Sequence, residues 1–450
     1  MVDMLAVILA AGKGVRMHSN PTKVLHKIAG KPMLEHVINR SLKLDSKIIC
    51  VVGHQAEKVR KTLNYDSLRF VLQKEQLGTG HAVLQAKEYI KKHAGAVLVL
   101  CGDTPLLTVE SLEKLRDYHF ANQAGASVLT ARVANPRGYG RIIRDRQDRI
   151  KNIVEEADAS EQQKEIKEIN SGVYCFDSSL LVEGLDSLDC DNQQNEYYLT
   201  DVVSYINKNG HRVLPVTVGD SAEIIGINDR VSLARAEKIM RQQINEKLMY
   251  NGVTIIDPQT TYIDEDVKIG KDTVIYPFTY IEGESEIGEE TVVFPHTRIV
   301  NSRIGNCVEL KLSCNIHDSI IKDNCIIGPF AYIRPGSRIE DGVEVGDFVE
   351  LKKAIIDQGT KVNHLSYVGD AEIGKNTNIG AGTVFANYDG RKKHKTRVGD
   401  SVFIGSNTTL IAPVTVADRG RTGAGAVVTH DVASETTVIG VPARIYNKKK

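Results

Sequence analysis

From Ile263 an aliphatic residue recurs at every sixth position: Ile269, Ile275, Ile281, Ile287, Val293 and Ile299. After a slip the beat resumes at Ile304, Leu310 and Ile316, and then from Ile321 to Leu351. It returns at Ile356, Val362 and Val368, at Ile373 and Ile379, and from Val398 to Val416. A six-residue period fits neither a helix face nor an alternating strand. It predicts a parallel β-helix, in which each hexad forms one short side and a turn. One aliphatic residue per side points inward and stacks on its counterpart one coil away. Three hexads close a coil, so the chain is expected to advance about 18 residues and ~4.8 Å per coil. Glycine often follows the aliphatic residue, as in Ile269-Gly270 and Ile404-Gly405, where the chain turns and a Cβ would clash. A β-sandwich with chance spacing does not explain so many in-phase positions. One long break, from Ala386 to Lys395, reads as a loop inserted on one face, and in solenoids such loops often mark the binding face.

Residues 1–229 follow a different rhythm. Leu5–Leu9, Lys47–Val52, Phe70–Leu72 and Ala96–Leu100 read as strands, and helices are predicted over 33–41, 56–63 and 81–92. Such alternation predicts βαβ units in a mostly parallel α/β sheet, with ligands beyond the carboxyl ends of the strands. Residues 230–250 are rich in Ala, Glu, Lys and Gln and contain no Gly or Pro, and Asn251-Gly252 closes them. The expected organisation is an α/β domain over 1–229, a helical linker over 230–250 and an all-β domain over 251–450.

Length agrees with this division, since 450 residues exceed one ordinary core. The composition, 42% hydrophobic and 25% charged, is that of a soluble globular protein. Formal net charge is zero, so no basic field advertises nucleic acid or a membrane surface. The basic end Lys448-Lys449-Lys450 reads as a solvated terminus or as a contact for an anionic ligand. No stretch is long enough to span a bilayer, and the start lacks the basic region and cleavage site of a signal peptide. Seven scattered cysteines with no CxxC pair argue against a disulfide framework and against a zinc site. A cytoplasmic location is expected.

Candidate chemistry lies just after the first strands. The turn Leu9-Ala10-Ala11-Gly12-Lys13-Gly14 lets the backbone approach a ligand and aim N–H groups at phosphate, and Arg16 and Lys23 add positive charge. It is not a Walker A loop, because no Ser or Thr follows Gly-Lys, and it lacks the third glycine of a dinucleotide fingerprint. Asp103, ending an apolar strand, suits a Mg²⁺ that bridges phosphates; the same carboxylate could equally cap a helix. Gln73 and the turn Gln76–Gly80 offer hydrogen bonds to a base edge. On the β-helix, Arg334 and Lys352 fall one coil apart and present two cations suited to a sugar phosphate. A single His on a turn is usually a surface residue. His364, near these cations, Tyr367 and Asn378, is instead a candidate base, with an ordinary pKa of about 6.5.

The segments Leu-Ala-Ala-Gly-Lys-Gly-x-Arg-Met, Pro-x-Lys-Val-Leu, Gln-Leu-Gly-Thr-Gly-His-Ala and Gly-Asp-x-Pro-Leu together resemble the sugar-phosphate nucleotidyltransferases. Joined to a hexapeptide β-helix, essentially the whole chain resembles the bacterial family of bifunctional N-acetylglucosamine-1-phosphate uridylyltransferases and glucosamine-1-phosphate N-acetyltransferases. The resemblance implies a Rossmann-like nucleotidyltransferase domain, a left-handed β-helix, Mg²⁺, UTP and acetyl-CoA. It implies a homotrimer with its acyl site between subunits. It implies that Leu9, Ala10, Ala11, Gly12, Lys23, Gln73, Gly78 and Thr79 bind the uridine nucleotide, and that Asp103 and Asn228 hold Mg²⁺. Gly140, Glu155 and Asn170 are implied at the acetylated sugar, with Lys23 and Arg16 as the charges acting in uridylyl transfer.

On the second domain the resemblance implies His364 as the base and Arg334, Lys352, Tyr367 and Asn378 as the glucosamine 1-phosphate site. Asn387 and Tyr388 are implied at the acetyl group. Ala381, Ser406 and Ala424 would line a coenzyme A channel, with Arg444 as the candidate for its last cation. The basic run Arg391–Lys395 suits coenzyme A phosphates or a solvated loop tip. Val15 departs from a Thr frequent in the family, and Asp418-Arg419-Gly420-Arg421 carries charge unusual for a coil. Two rival readings remain at this level: a nucleotidyltransferase whose β-helix only assembles or regulates, and a non-catalytic assembly or sensor protein.

Overall fold

The apolar run Met4–Ala10 forms the middle of a sheet, buried on both faces. In the computed structural model, residues 4–63, 65 and 67–446 are described; the basic end Lys448-Lys449-Lys450 and the first three residues lie outside them. The chain divides into two units, Met1–Met240 and Arg241–Lys450.

In the first unit the sheet order is Val213–Thr217, Ala126–Arg132, Glu168–Asp177, Ala96–Cys101, Met4–Ala10, Lys47–Val52, Leu68–Leu72. Met4–Ala10 pairs in parallel with Lys47–Val52 and with Ala96–Cys101, and Glu168–Asp177 runs antiparallel to both its neighbours. Burial on both faces explains the continuous apolar reading of the central strands. Met4, Ala6, Ile8 and Ala10 pack into one core, while Leu5 and Val7 pack into the other. The parallel strands end together, so the segments after Ala10 and Cys101 emerge at one edge.

One predicted helix is divided. Residues 81–92 form two short helices, Thr79–Leu84 and Lys87–Ile90. The turn between them tightens, with Gln85 N–H donating to Ala82 O at 3.2 Å. The His81 carbonyl left free accepts from Gln85 Nε2 at 3.0 Å, so the side chain replaces the missing backbone donor. The helix Arg230–Tyr250 belongs to both units. Glu237 accepts from Ala29 N–H at 2.9 Å in the first unit. In the second, Asn245 is fully buried and donates to the carbonyls of Pro258 (2.9 Å) and Thr261 (3.1 Å).

The second unit is the parallel β-helix that the period predicts, left-handed as the resemblance implies. Among the described residues its three faces carry 12, 10 and 9 short strands. The columns Ile281-Ile299-Ile316-Ile333-Leu351-Val368 and Ile287-Ile304-Ile321-Ile339-Ile356-Ile373 stack inside, each residue in register with the next. Buried hydroxyls close the corners: Thr273 Oγ1 donates to Gly288 O (2.8 Å) and Thr360 Oγ1 to Gly374 O (2.6 Å). The glycines after the aliphatic residues serve close stacking. A Cβ on Gly270 would lie 2.7 Å from Gly288 of the next coil, while the left-handed turn residue is Asp272, at φ 59°.

The coil length is not a uniform 18. Ile281 to Ile299 is eighteen residues, Ile299 to Ile316 seventeen, and Phe385 to Leu410 twenty-five. The variation sits at one corner, where the ten-strand face turns into the nine-strand face. Longer turns there use Gly283 or Gly336, shorter ones a single left-handed residue such as Asn301, Asp318, Lys353 or Asp370. The loop from Asn387 to Lys395 is inserted at this same corner.

Candidate functional site

In the first unit a pocket of about 280 Å³ opens where strands Met4–Ala10 and Ala96–Cys101 end. Leu9, Ala10, Ala11, Gly12, Lys23, Gln73, Gly78, Thr79 and Asp103 all line it. Gly14, at φ 62°, turns the loop, and a Cβ there would strike Lys23 Cβ at 2.6 Å. That turn brings Lys23 inward, where its ammonium contacts Asp103 Oδ2 and donates to Asn228 Oδ1 at 3.0 Å. Ile227 N–H donates to Asp103 O at 3.0 Å and holds the Asn228 segment beside Asp103. Two oxygens, one anionic, thus converge on a single cation.

At the other end, Gln73 is buried and donates to Gly78 O at 3.2 Å. Gly78 packs against the Tyr197 backbone, and Thr79 Oγ1 accepts from Leu199 N–H at 3.1 Å. Gln76 and Glu196 also line the pocket; Gln76 was visible as part of the turn, whereas nothing local marked Glu196. Arg16 is exposed and lies outside the pocket lining.

Gly140, Glu155 and Asn170 form a second group. Gly140 O accepts from Asn170 N–H at 2.9 Å, and a Cβ on Gly140 would lie 3.3 Å from Glu155 Oε2. Burial raises the Glu155 carboxyl, and Thr200 donates to it at 3.3 Å. Burial raises the Tyr139 phenol, and the Asp103 charge adds to that rise. Tyr139 therefore joins this group to the Asp103 end, a role no motif had marked.

In the second unit Arg334 and Lys352 occupy matching positions on successive coils, at the corner of variable length. Arg334 donates to Glu350 at 2.7 Å. Lys352 lies 3.7 Å from Asp370, which accepts from Asn387 Nδ2 at 2.5 Å. Asn387 also reaches the Tyr367 hydroxyl at 3.5 Å. Lys393 bridges to Tyr388 as the inserted loop returns to Asn387, and the Lys352 ammonium holds it below the usual lysine range. Sequence reasoning had Lys393 only within a basic run and missed Asp370.

His364 lies at the opposite edge of the same face, and Tyr367 starts the strand between them. Its Nδ1 is 2.6 Å from Asp347 Oδ1, and that bond holds the Asp347 carboxyl below its usual range. A period of 18 would have put Gly346 under His364; the seventeen-residue coil puts Asp347 there. Asn378 is in register with Lys361 on one side and Phe403 on the other, at the far edge of the His364 strand, away from the Lys352 group. Ala381, Ser406 and Ala424 follow one another on three coils, as the register of Ile379 with Ile404 and of Phe403 with Arg421 requires. Tyr388 is 60% exposed on the inserted loop. Arg444 is exposed, with its guanidinium 3.3 Å from Ala443 O. Among the described residues no helix is long and apolar enough to cross a membrane.

Comparison with known proteins covers both units. Residues 5–222 match the nucleotidyl transferase family, and residues 318–353 match the bacterial transferase hexapeptide (six repeats). A protein named "Bifunctional protein GlmU" from Geobacillus sp. (strain WCH70) is 50% identical over 450 residues, 100% of this chain and 97% of the relative. Its namesake from Staphylococcus haemolyticus (strain JCSC1435) is 52% identical over 435 residues, 96% of each. That from Enterococcus faecalis (strain ATCC 700802 / V583) is 49% identical over 450 residues, covering 100% and 98%. With both architectures present and matched end to end at this identity, the chain belongs to the GlmU family of bifunctional proteins.

Proposed function

We propose that this chain makes UDP-N-acetylglucosamine in two steps, acetyl transfer to glucosamine 1-phosphate and then uridylyl transfer to the acetylated product. One observation carries the reading. A single chain holds a glycine-lined pocket closed by Lys23, Asp103 and Asn228, and also a cation cluster around Lys352 on the face that His364 borders.

In the acetyl step the 2-amino group attacks the thioester carbonyl of acetyl-CoA. His364 takes a proton from the amine as the N–C bond forms, the C–S bond breaks, and the imidazolium returns that proton to the departing sulfur so that coenzyme A leaves as the thiol. Arg334, Lys352 and Lys393 supply positive charge for the sugar phosphate, and Tyr367 flanks it. Asn387 and Tyr388 reach the acetyl group; Asn378, at the far edge of the His364 strand, would join them only from a second copy of the chain. The column Ala381, Ser406 and Ala424 presents no bulky side chain, which suits the pantetheine arm, and Arg444 is the candidate for a coenzyme A phosphate.

In the uridylyl step a phosphate oxygen of the acetylated sugar attacks the α-phosphorus of UTP, and pyrophosphate leaves. Positioning and charge neutralisation carry such a reaction. Gln73, Gly78 and Thr79 hold the uracil, and Leu9 to Gly12 the nucleoside and phosphates. Gly140, Glu155 and Asn170 hold the sugar. Lys23 and Arg16 neutralise phosphate charge. Asp103 and Asn228 suit Mg²⁺, which binds through one or two protein oxygens plus substrate phosphates and, when bound, offsets charge on the triphosphate. That both oxygens already share the Lys23 ammonium supports the fit.

The uridylyl activity is assigned to residues 1–229 and the acetyl activity to 251–450, with the helix 230–250 between them. A homotrimer completes the acyl site. Phe330 and Phe348 stack at 5.2 Å on an exposed corner, and Leu365, 62% exposed, continues that apolar edge beside His364. A second copy covering this edge would cover His364 too. UTP and acetyl-CoA as substrates place the protein in the cytoplasm.

Two assays test the reading: pyrophosphate release from UTP with N-acetylglucosamine 1-phosphate, and thiol release from acetyl-CoA with glucosamine 1-phosphate. Both are expected. Pyrophosphate without thiol would reduce the chain to a nucleotidyltransferase on a β-helical scaffold.

A further inference from the structure

We infer that Asp347 is the positioning residue of the acetyl-transfer site: its carboxylate holds His364 Nδ1–H and leaves Nε2 as the atom that receives the amine proton. The inference rests on the reading of His364 as the base.

The backbone brings the two residues together. Asp347 ends the strand Glu344–Asp347, His364 ends Lys361–His364, and the two are direct partners in the parallel ladder. Leu365 N–H donates to Asp347 O at 2.9 Å and fixes the turn beyond His364. Gly346 permits the close approach, since a Cβ there would lie 1.9 Å from Asn363 O. The coil length matters as well: one more residue per turn would put Gly346 in place of the carboxylate.

The bond has one chemical sense. An ionised carboxylate only accepts, so Nδ1 must carry the hydrogen at 2.6 Å, and Nε2 keeps its lone pair. The Asp347 carboxyl is held below its usual range, so it is ionised wherever the enzyme works. The His364 side chain is 61% exposed, and without this tie an imidazole on a turn has no fixed direction. When Nε2 takes the amine proton, the carboxylate faces the resulting imidazolium and stabilises it.

Other charges near the imidazole are paired elsewhere or absent from the facing elements. Glu344, on the Asp347 strand, pairs with Lys361 at 2.7 Å and accepts from Asn363 at 3.5 Å. The following coil faces His364 with uncharged Ala381 and Gly382, and Gly382 N–H donates to His364 O at 3.2 Å. Among the described residues Asp347 is the charged group bonded to the ring.

The test uses full-length enzyme carrying Asp347→Asn, Asp347→Ala, His364→Ala or Asp347→Ala with His364→Ala. Thiol release is followed against glucosamine 1-phosphate concentration, and the His364 tautomer is read from its imidazole nitrogen-15 NMR shifts. Removing the carboxylate frees the ring, so the single Nδ1–H tautomer is expected to give way to a mixture. In both Asp347 variants kcat is expected to fall roughly 10- to 100-fold, with KM changed less than about twofold. Asp347→Ala should cost nothing further in the His364→Ala background. Pyrophosphate release at wild-type rate reports a folded first unit, and an unchanged far-ultraviolet circular dichroism spectrum and melting temperature report a folded β-helix. Wild-type kcat and an unchanged tautomer in both Asp347 variants, or additive losses in the double variant, would overturn the inference. A wild-type rate in His364→Ala would instead overturn the base assignment. Loss in His364→Ala beside unchanged Asp347 variants would leave the base and remove only the positioning role.

Discussion

Gly78 is the position where the pocket of the first unit is most sensitive to a single methyl group. Its backbone sits at φ 106° and ψ 176°, a region that residues other than glycine occupy at a cost of about 1–3 kcal/mol. A Cβ there would fall 2.6 Å from Tyr197 O and 2.9 Å from Glu196 Cβ. The Tyr197 carbonyl already accepts from Gly80 N–H at 2.7 Å, and Tyr197 N–H donates to Leu77 O at 2.8 Å. The neighbouring segment therefore cannot retreat without breaking two backbone bonds that frame the base end of the pocket. If the strain falls on the pocket, Gly78→Ala should raise KM for UTP by about 5- to 150-fold, the equivalent of those 1–3 kcal/mol. Pyrophosphate release measured against UTP concentration gives the number, and thiol release should stay at the wild-type rate. Gly219→Ala is the control, since a Cβ there meets nothing within 4 Å. A wild-type KM for UTP in Gly78→Ala would refute the reasoning, because the geometry leaves the methyl nowhere to go.

Asp103→Ala should lower uridylyl transfer more than about 100-fold and leave acetyl transfer intact, read by the same two assays. Lys23→Ala should also slow uridylyl transfer. Because it frees Asp103 and Asn228 from the ammonium, Mn²⁺ binding in the absence of nucleotide should tighten by about fivefold, measured by electron paramagnetic resonance, for a pair worth about 1 kcal/mol. Glu155→Gln tests burial of the carboxyl. A raised folded-state pKa means that the folded chain binds the proton more tightly, so stability falls as pH rises from the ordinary carboxylate range through the raised value. Thermal unfolding of the Gln variant should lose that decline, and an unchanged pH dependence would exclude Glu155 as its source.

What the sequence determined here was whatever a local rule can carry. A six-residue beat needs no partner to be recognised, because each inward residue meets its own equivalent one coil away. The apolar runs of the first unit likewise announced strands buried on both faces. The glycine turn after Ala11 and the carboxylate after Cys101 were legible because parallel strands end on one side. Tertiary structure decided the rest. Whether a coil takes seventeen or eighteen residues depends on one corner, and that count alone puts Asp347 rather than Gly346 beneath His364. Lys393 joins Lys352 only because a loop folds back over the coil. Thr200 meets Glu155 across a distance in the chain that no motif spans. Hydrophobic period reports which way a side chain faces. It does not report which polar group waits opposite, because that pairing is set by the closure of the backbone and not by any residue taken with its neighbours in sequence.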